Sequence, residues 1–496
     1  MHSTRGKVVL FMPRLLPPNF PGLDRYQPPL SLLALGRPLQ NAGYEVRLID
    51  ALWDHDYREE IAFLAKDAAC LGISCLTGHS VRQGLEAAEL AKKVNPSLPV
   101  VWGGWHPSFV AEQAARDPRI DVVVRGQGEI TFIELLNALK EGRQLKGLGG
   151  ITFRDGEKIV HNPDRPPQDI NLFPPLAWEL VDVSHYIRPL SGSVRLAKTI
   201  LSRGCPYYCD FCLDSRRPWF GLNLRRAQEE LEFWVLRHGA NDVRFYDGNF
   251  FLGRQRIIDF TEMILRSHLA GRFKWVATGV AKRLVQFDGS TLELLRRSGC
   301  RQIAIGAESG SPELLAAITN KTTVELTTEA VRLLTRHGIN QYLFFMVGFP
   351  EEPERALEDT LALICRLKTI NPLVEVSINF CIPLPGSEMF RIAVEKGLFH
   401  EPREFAEWAN FDFMKPNLPG ISDAYSKKVR RFLSYVELAY PIQDTHLGGF
   451  AYHRFLRHIY SAVRQMATLR LKKQNFDFPI ELKLRNLYAR VTTRAE

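Results

Sequence analysis

At 496 residues the chain is long enough for about three ordinary domains. Its composition, 45% hydrophobic and 24% charged with no collagen-like or low-complexity period, excludes a disordered or fibrous chain, and no apolar run reaches the length of a membrane-spanning helix. The formal charge of +9 gathers at the end, where residues 451–496 hold ten Lys or Arg against Asp477, Glu481 and Glu496; a solvated helix face accounts for this, and no nucleic-acid partner is expected.

The opening "MHSTRGKVVLFMP" runs from two basic residues into a short β-branched stretch that ends at Pro13 without a small-residue cleavage site, which reads as a first strand rather than a signal peptide. Eight cysteines in such a chain do not make a disulfide scaffold, so a reducing cytoplasm is the expected compartment. From residue 7 to about 140, apolar strands alternate with helices: "KVVLFM", a helix from Pro29 to Ala42, "EVRLID", "CLGISCL", a helix around 82–94, "LPVVWGG" and "IDVVVRGQGE". Near-continuous apolar strands require a sheet covered on both faces, and strand–helix repetition makes it parallel and doubly wound. The expected Rossmann-like domain spans residues 1–145. A stretch rich in Pro, Asp and Asn, "HNPDRPPQDINLFPPLAWEL", places a connector over 146–195.

A second strand–helix series follows: "KTILSRGC", "DVRFYDG", "FKWVATGV", "QIAIGAES", "YLFFMVGF" and "VEVSINFCIP". Six units over 196–395 imply a partial (β/α)6 TIM-like barrel, with its chemistry at the C-terminal strand ends. Residues 396–496 are expected to be mostly helical, with Tyr452, Phe455, Leu456, Ile459, Val463 and Met466 forming an apolar packing stripe.

After the first barrel strand, Cys205, Cys209 and Cys212 crowd into "RGCPYYCDFC". Three neighbouring thiols suit an iron–sulfur cube with one iron left open, a zinc site that borrows a distant ligand, or simply buried thiols; no second Cys-x2-Cys knuckle supports zinc. The other cysteines, at 70, 75, 300, 365 and 381, fall in apolar segments and read as buried fillers.

Cys-x3-Cys-x2-Cys with an aromatic, Phe211, before the last cysteine resembles the radical S-adenosylmethionine superfamily. The resemblance implies a 4Fe-4S cluster on Cys205, Cys209 and Cys212 whose fourth iron binds S-adenosylmethionine. It also implies an external electron donor such as flavodoxin or ferredoxin. Asp247, Gly248 and Asn249 match the strand end that meets the methionine amino group, Glu308 and Ser309 the end that handles ribose or the amino acid, and Gly348 the end near adenine. An acidic turn, a surface Glu and ordinary turn chemistry account for the same residues without a ligand.

In the first domain, Ser74-x-Leu76 and Gly103-Gly104 follow the third and fourth strands. Their order, with the flanking "YQPPLSLLALGRPLQNAGYEVRLID" and "VVRGQGEITFIELLNAL", resembles the cobalamin-binding domain of cobalamin-dependent radical enzymes. A dinucleotide fingerprint is absent, since Gly126-x-Gly128 lies after the fifth strand rather than the first. No histidine lies between Met12 and Tyr26 to ligate cobalt, and the one Asp-x-His-x-x-Gly match, at Asp444–Gly449, lies far from this domain. His106, directly after Gly103-Gly104, is an acid–base or axial candidate or a plain polar contact. The resemblance implies a cobalamin-dependent methyltransferase acting on an unactivated carbon of a small molecule. A cyclase or rearrangement enzyme similar to the anaerobic porphyrin-ring cyclases and a non-catalytic corrin-binding sensor are the alternatives. The basic, aromatic tail admits an anionic or lipid-like substrate.

Overall fold

In the computed structural model the described residues are 5–17, 27–189, 193–412, 418, 421–440, 454–477 and 479–483. The Asp444–Gly449 match and Tyr452 lie outside them.

The apolar runs of the first third become strands and the amphipathic segments helices, in the order β1 (Lys7–Met12), α1 (Leu30–Asn41), β2 (Glu45–Asp50), α2 (Tyr57–Leu64), β3 (Ala68–Ser74), α3 (His79–Val94), β4 (Val100–Gly103), α4 (Trp105–Phe109), α5 (Ala111–Arg116), β5 (Val122–Val124) and α6 (Gly128–Lys140). The sheet order is β2-β1-β3-β4-β5, parallel throughout. One face is covered by α2, α3 and α5, through Ile61, Val81, Leu85 and Ala114; the other is covered by α1 and α6, through Leu32, Leu39, Phe132 and Leu135. Strands buried on both faces can afford no polar positions, hence the continuous Val/Ile/Leu runs.

Within the range read as a connector, β6 (Ile151–Asp155) and β7 (Lys158–His161) form an antiparallel hairpin that extends this sheet beyond β5. Its signal was local: "ITFRDGEKIVH" alternates on either side of an Asp-Gly turn, and Gly156 takes φ +60° there.

Next come β8 (Arg188–Pro189), β9 (Arg195–Thr199), β10 (Ser202–Arg203), β11 (Phe220–Gly221), α7 (Leu224–Glu232), β12 (Asp242–Phe245), α8 (Arg254–Arg266), β13 (Lys274–Gly279), α9 (Ala281–Leu284), α10 (Gly289–Arg297), β14 (Cys300–Glu308), α11 (Pro312–Ile318), α12 (Val324–Arg336), β15 (Asn340–Val347), α13 (Ala356–Ile370), β16 (Glu375–Phe380) and α14 (Glu388–Glu395). The chain divides into two units: residues 1–205, 212–247 and 383–415 form one, and 206–211, 248–382 and 416–496 the other. In the first, β12 pairs with β9 in parallel; in the second, β13, β14, β15 and β16 pair in parallel in chain order. These are the six strands of the partial barrel.

The second unit ends in α15 (Asp423–Ala439) and α16 (Arg454–Lys473). Of the expected apolar stripe, the side chains of Phe455, Leu456 and Ile459 lie outside the described residues; Val463 is half-buried and Met466 is corrected to 47% exposed, while Ala467 and Leu471 are buried. A buried carboxylate, Glu481, joins the two helices by accepting from Tyr435 Oη at 2.9 Å and from Arg470 Nε at 2.8 Å. No described helix is long and apolar enough to cross a membrane.

Candidate active site

Two loops meet at the carboxyl end of the first sheet. Ser74 and Gly103 are register partners on β3 and β4, and Cys75 N donates to Gly103 O at 2.9 Å. Gly104, at φ +95°, lies so close to the preceding loop that a Cβ would stand 2.7 Å from Cys75 O and 3.2 Å from Ser74 Oγ. Only glycine fits both the conformation and the space. Ser74 Oγ is 2.9 Å from Ser31 Oγ, and Leu76 presents its side chain, 39% exposed, beside them. The Ser-x-Leu and Gly-Gly elements are thus brought together, with Gly104 packed directly on the Cys75 backbone.

His106 turns the other way. Its ring is 2% exposed, stacks on Phe405 at 5.4 Å and meets the Trp408 edge at 5.0 Å, while Nδ1 lies 3.1 Å from Thr77 Oγ1. Burial pushes its pKa down to about 3.

In the same unit, β9 leads into Cys205 and Cys212, both half-buried. Asp247, at the end of β12, pins the approach to them by accepting from Ser202 Oγ and from Leu201 N, the latter at 3.2 Å. Gly204, at φ +82°, has no room for a Cβ because Pro218 O occupies that space.

The second unit holds the middle of the loop. Cys209 bridges antiparallel to Thr319 just after α11, with Sγ 3.2 Å from Thr319 Oγ1; Tyr208 N donates to Asn320 Oδ1 at 3.0 Å and Asp210 N to Ile318 O at 3.1 Å. Burial pushes the Cys209 thiol up and the Lys321 ammonium opposes it. Lys321 Nζ also sits 2.7 Å from Glu308 Oε1 and 5.8 Å from the Phe211 ring, which meets Phe349 edge-on. Glu308 ends β14 at φ +61°, beyond a register shift that begins at Gly306, where a Cβ would collide with the Glu308 carboxylate.

Ser309 Oγ is committed to the turn into α11, lying 3.2 Å from Thr360 Oγ1 and accepting from Ser311 N at 3.1 Å. Gly348, at φ +78°, donates to Glu352 Oε2 at 2.9 Å, an oxygen that Tyr425 Oη also reaches at 2.7 Å. Gly248 is exposed and Asn249 fully buried. Thr319, Asn320 and Lys321 escaped the sequence reading: their only signal, "TNK" after a helix, acquires meaning once α11 returns them to Cys209.

None of the three cluster-loop cysteines is in a disulfide, and thiols are the donors that iron–sulfur clusters take. Among the described residues no three His, Cys, Asp or Glu side chains are gathered at metal-ligand spacing. The donor set and the glycine-lined approach nonetheless fit a cluster bound by this loop, and the Ser74 and Gly104 loops stand at the carboxyl ends of β3 and β4, where a doubly wound domain takes its ligand.

The B12 binding domain model matches residues 23–136 and the Radical SAM superfamily model residues 199–364. An uncharacterized methyltransferase of Pyrococcus horikoshii is 30% identical over 395 residues, covering 77% of this chain and 83% of that protein. The chain belongs to the cobalamin-dependent radical S-adenosylmethionine enzymes. An anaerobic magnesium-protoporphyrin IX monomethyl ester cyclase of Cereibacter sphaeroides is also 30% identical, over 67% of this chain, but the chain spans only 55% of that cyclase. The radical S-adenosylmethionine methyltransferase TsrM of Kitasatospora setae, solved with cobalamin and a 4Fe-4S cluster, shares the fold at a TM-score of 0.68 and 19% identity, covering 95% of this chain and 99% of that one.

Proposed function

We propose that this enzyme transfers a methyl group from S-adenosylmethionine, by way of cobalamin, to an unactivated carbon of a small molecule. The observation that carries the reading is the presence of two ends in one chain: the Ser74 and Gly103-Gly104 loops at the carboxyl ends of β3 and β4, and a Cys205/Cys209/Cys212 loop after the first barrel strand. The match to a methyltransferase over 77% of this chain, with further methyltransferases among its relatives, favours methyl transfer over ring closure. When bound, cobalamin supplies a methyl carrier and the cluster supplies the electron that cleaves S-adenosylmethionine.

In this reading the protein's own work is positioning. Cys205, Cys209 and Cys212 hold the cluster, and Phe211 walls it beside Lys321. Glu308, freed from Lys321, is placed to accept from S-adenosylmethionine, while Asp247, Gly248 and Asn249 shape the methionine end and Gly348 the adenine end. Ser74, Leu76, Gly103 and Gly104 receive the corrin tail. An electron enters from a flavodoxin or ferredoxin, and the substrate is anionic or lipid-like.

The test is product stoichiometry. Anaerobically reconstituted enzyme, incubated with methyl-labelled S-adenosylmethionine and candidate metabolites, is expected to form S-adenosylhomocysteine and 5'-deoxyadenosine in equal amounts with each methylated product. Ring closure or rearrangement would give no S-adenosylhomocysteine, and a corrin sensor would give neither compound.

A further inference from the structure

The short helix α4 has two faces, and both are committed within the first unit. Its buried face carries His106, which is joined to Thr77 in the loop after β3 and seated on Phe405 and Trp408. The opposite face carries Trp105 and Phe109, whose rings stack at 5.8 Å and 12°. The Arg217 guanidinium lies over Trp105 at 4.5 Å and over Phe109 at 5.8 Å.

Arg217 is also the residue that closes the cysteine loop. Its backbone N donates to Cys205 O at 2.9 Å, and its Nε donates to Leu213 O, next to Cys212, at 3.0 Å. The carbonyl of the following residue, Pro218, occupies the space that a Cβ on Gly204 would need. One residue therefore touches both ends of the cysteine loop, through its backbone at Cys205 and its side chain at Leu213, and the same side chain touches the helix that begins directly after Gly104. Phe109 is held from behind as well, since it fills the space where Gly386, at φ +91°, lacks a side chain.

We propose that α4 and Arg217 form a mechanical link through which cobalamin at the Ser74/Gly104 end stabilises the loop that carries the iron–sulfur cluster. The inference rests on the cofactor reading above. A corrin tail seated at these strand ends bears on the Ser74 and Gly104 loops, which are packed together as one unit, and α4 starts at the residue after Gly104. Its position is fixed on one face by the His106 cage and is transmitted on the other through a cation–π contact. That contact is worth more as water is excluded from it. Coupling of this kind is reciprocal, so cobalamin steadies the cluster and the cluster tightens cobalamin by the same factor. Arg217 and Trp105 are positioning residues.

The test reads the cluster without turnover. Reconstituted full-length protein is mixed with an iron chelator, with and without hydroxocobalamin, and loss of the cluster's visible absorbance is followed. Cobalamin is expected to slow iron release about fivefold or more in the unaltered protein, a typical size for coupling between sites. In Trp105→Ala and Arg217→Ala that protection should fall to nearly none although both variants still take up iron and cobalamin, and Trp105→Phe should restore part of it. A general folding defect would speed release with and without cobalamin alike and would not be rescued by Phe. Equal release with and without bound cobalamin in the unaltered protein, or undiminished protection in both variants, would overturn the link. Failure to bind cobalamin, seen as an unshifted corrin spectrum, would overturn the cofactor reading and the link with it.

Discussion

His106 and Lys321 decide how the site tolerates charge. His106 is neutral because its cage offers no solvent, and its pKa is pushed down to about 3. The unfolded chain binds the proton near 6.5, so the stability His106 contributes is fully present above that pH and is lost as pH falls toward 3, by about 5 kcal/mol in all. His106→Gln keeps a partner for Thr77 without a basic ring. Its unfolding midpoint is expected to fall less than that of the unaltered protein between pH 6.5 and 4, measured by denaturant titration at each pH. Lys321 has the opposite task, holding a charge among buried groups. Lys321→Met leaves Glu308, 4% exposed, without its ion-pair partner, and about 3 kcal/mol of destabilisation is expected in urea unfolding. Lys321→Arg should recover most of it. The cysteines, Ser74 and the glycines stand out in the sequence because each belongs to a closely spaced motif. Lys321 does not, because its partners at 209, 211 and 308 converge on it only through the turn after α11.

Strands and helices were more readable than their neighbours. Runs buried on both faces announce β1, β3 and β4 directly, and the hairpin β6–β7 was available from alternation about Asp155-Gly156. The buried tie between α15 and α16 was not readable, because it is polar and distant in sequence: Glu481 accepts from both Tyr435 and Arg470. The same kind of buried carboxylate ends β2. Asp50 accepts from Tyr186 Oη at 2.8 Å and from Leu52 N at 3.0 Å, yet burial outweighs both bonds and pushes its pKa up to about 6. A carboxyl that holds its proton more tightly when folded gives most stability below the unfolded value near 4, and that stability declines as pH rises through 6, by about 3 kcal/mol. Asp50→Asn keeps an acceptor for Tyr186 and removes the decline. Its thermal midpoint is expected to exceed that of the unaltered protein at pH 8 and to match it near pH 4.

At the scale of the whole chain, sequence order and spatial order part company. Residues 383–415 follow the last barrel strand but belong to the first unit, where Phe405 and Trp408 complete the core that covers α3 and α5. The anchoring is specific: Trp408 Nε1 donates to Gln113 Oε1 at 2.7 Å, Gln113 Nε2 donates to Pro402 O at 2.6 Å, and Phe405 meets Trp102 edge-on at 5.2 Å. Nothing in "REFAEWANF" announces this, since an aromatic pair three residues apart fits any core. Truncating Trp408, which is fully buried, to Ala leaves a cavity between His106 and α5, and about 3–5 kcal/mol is the usual cost of such a loss. Hydrogen exchange separates the two units. In Trp408→Ala, amides of β3, β4 and α3 are expected to exchange faster, because that core has lost its cover, while those of β14 and β15 keep their protection. Uniform acceleration in all strands would mean that the two units open together, and an unchanged β4 would mean that the segment adds nothing to the first core.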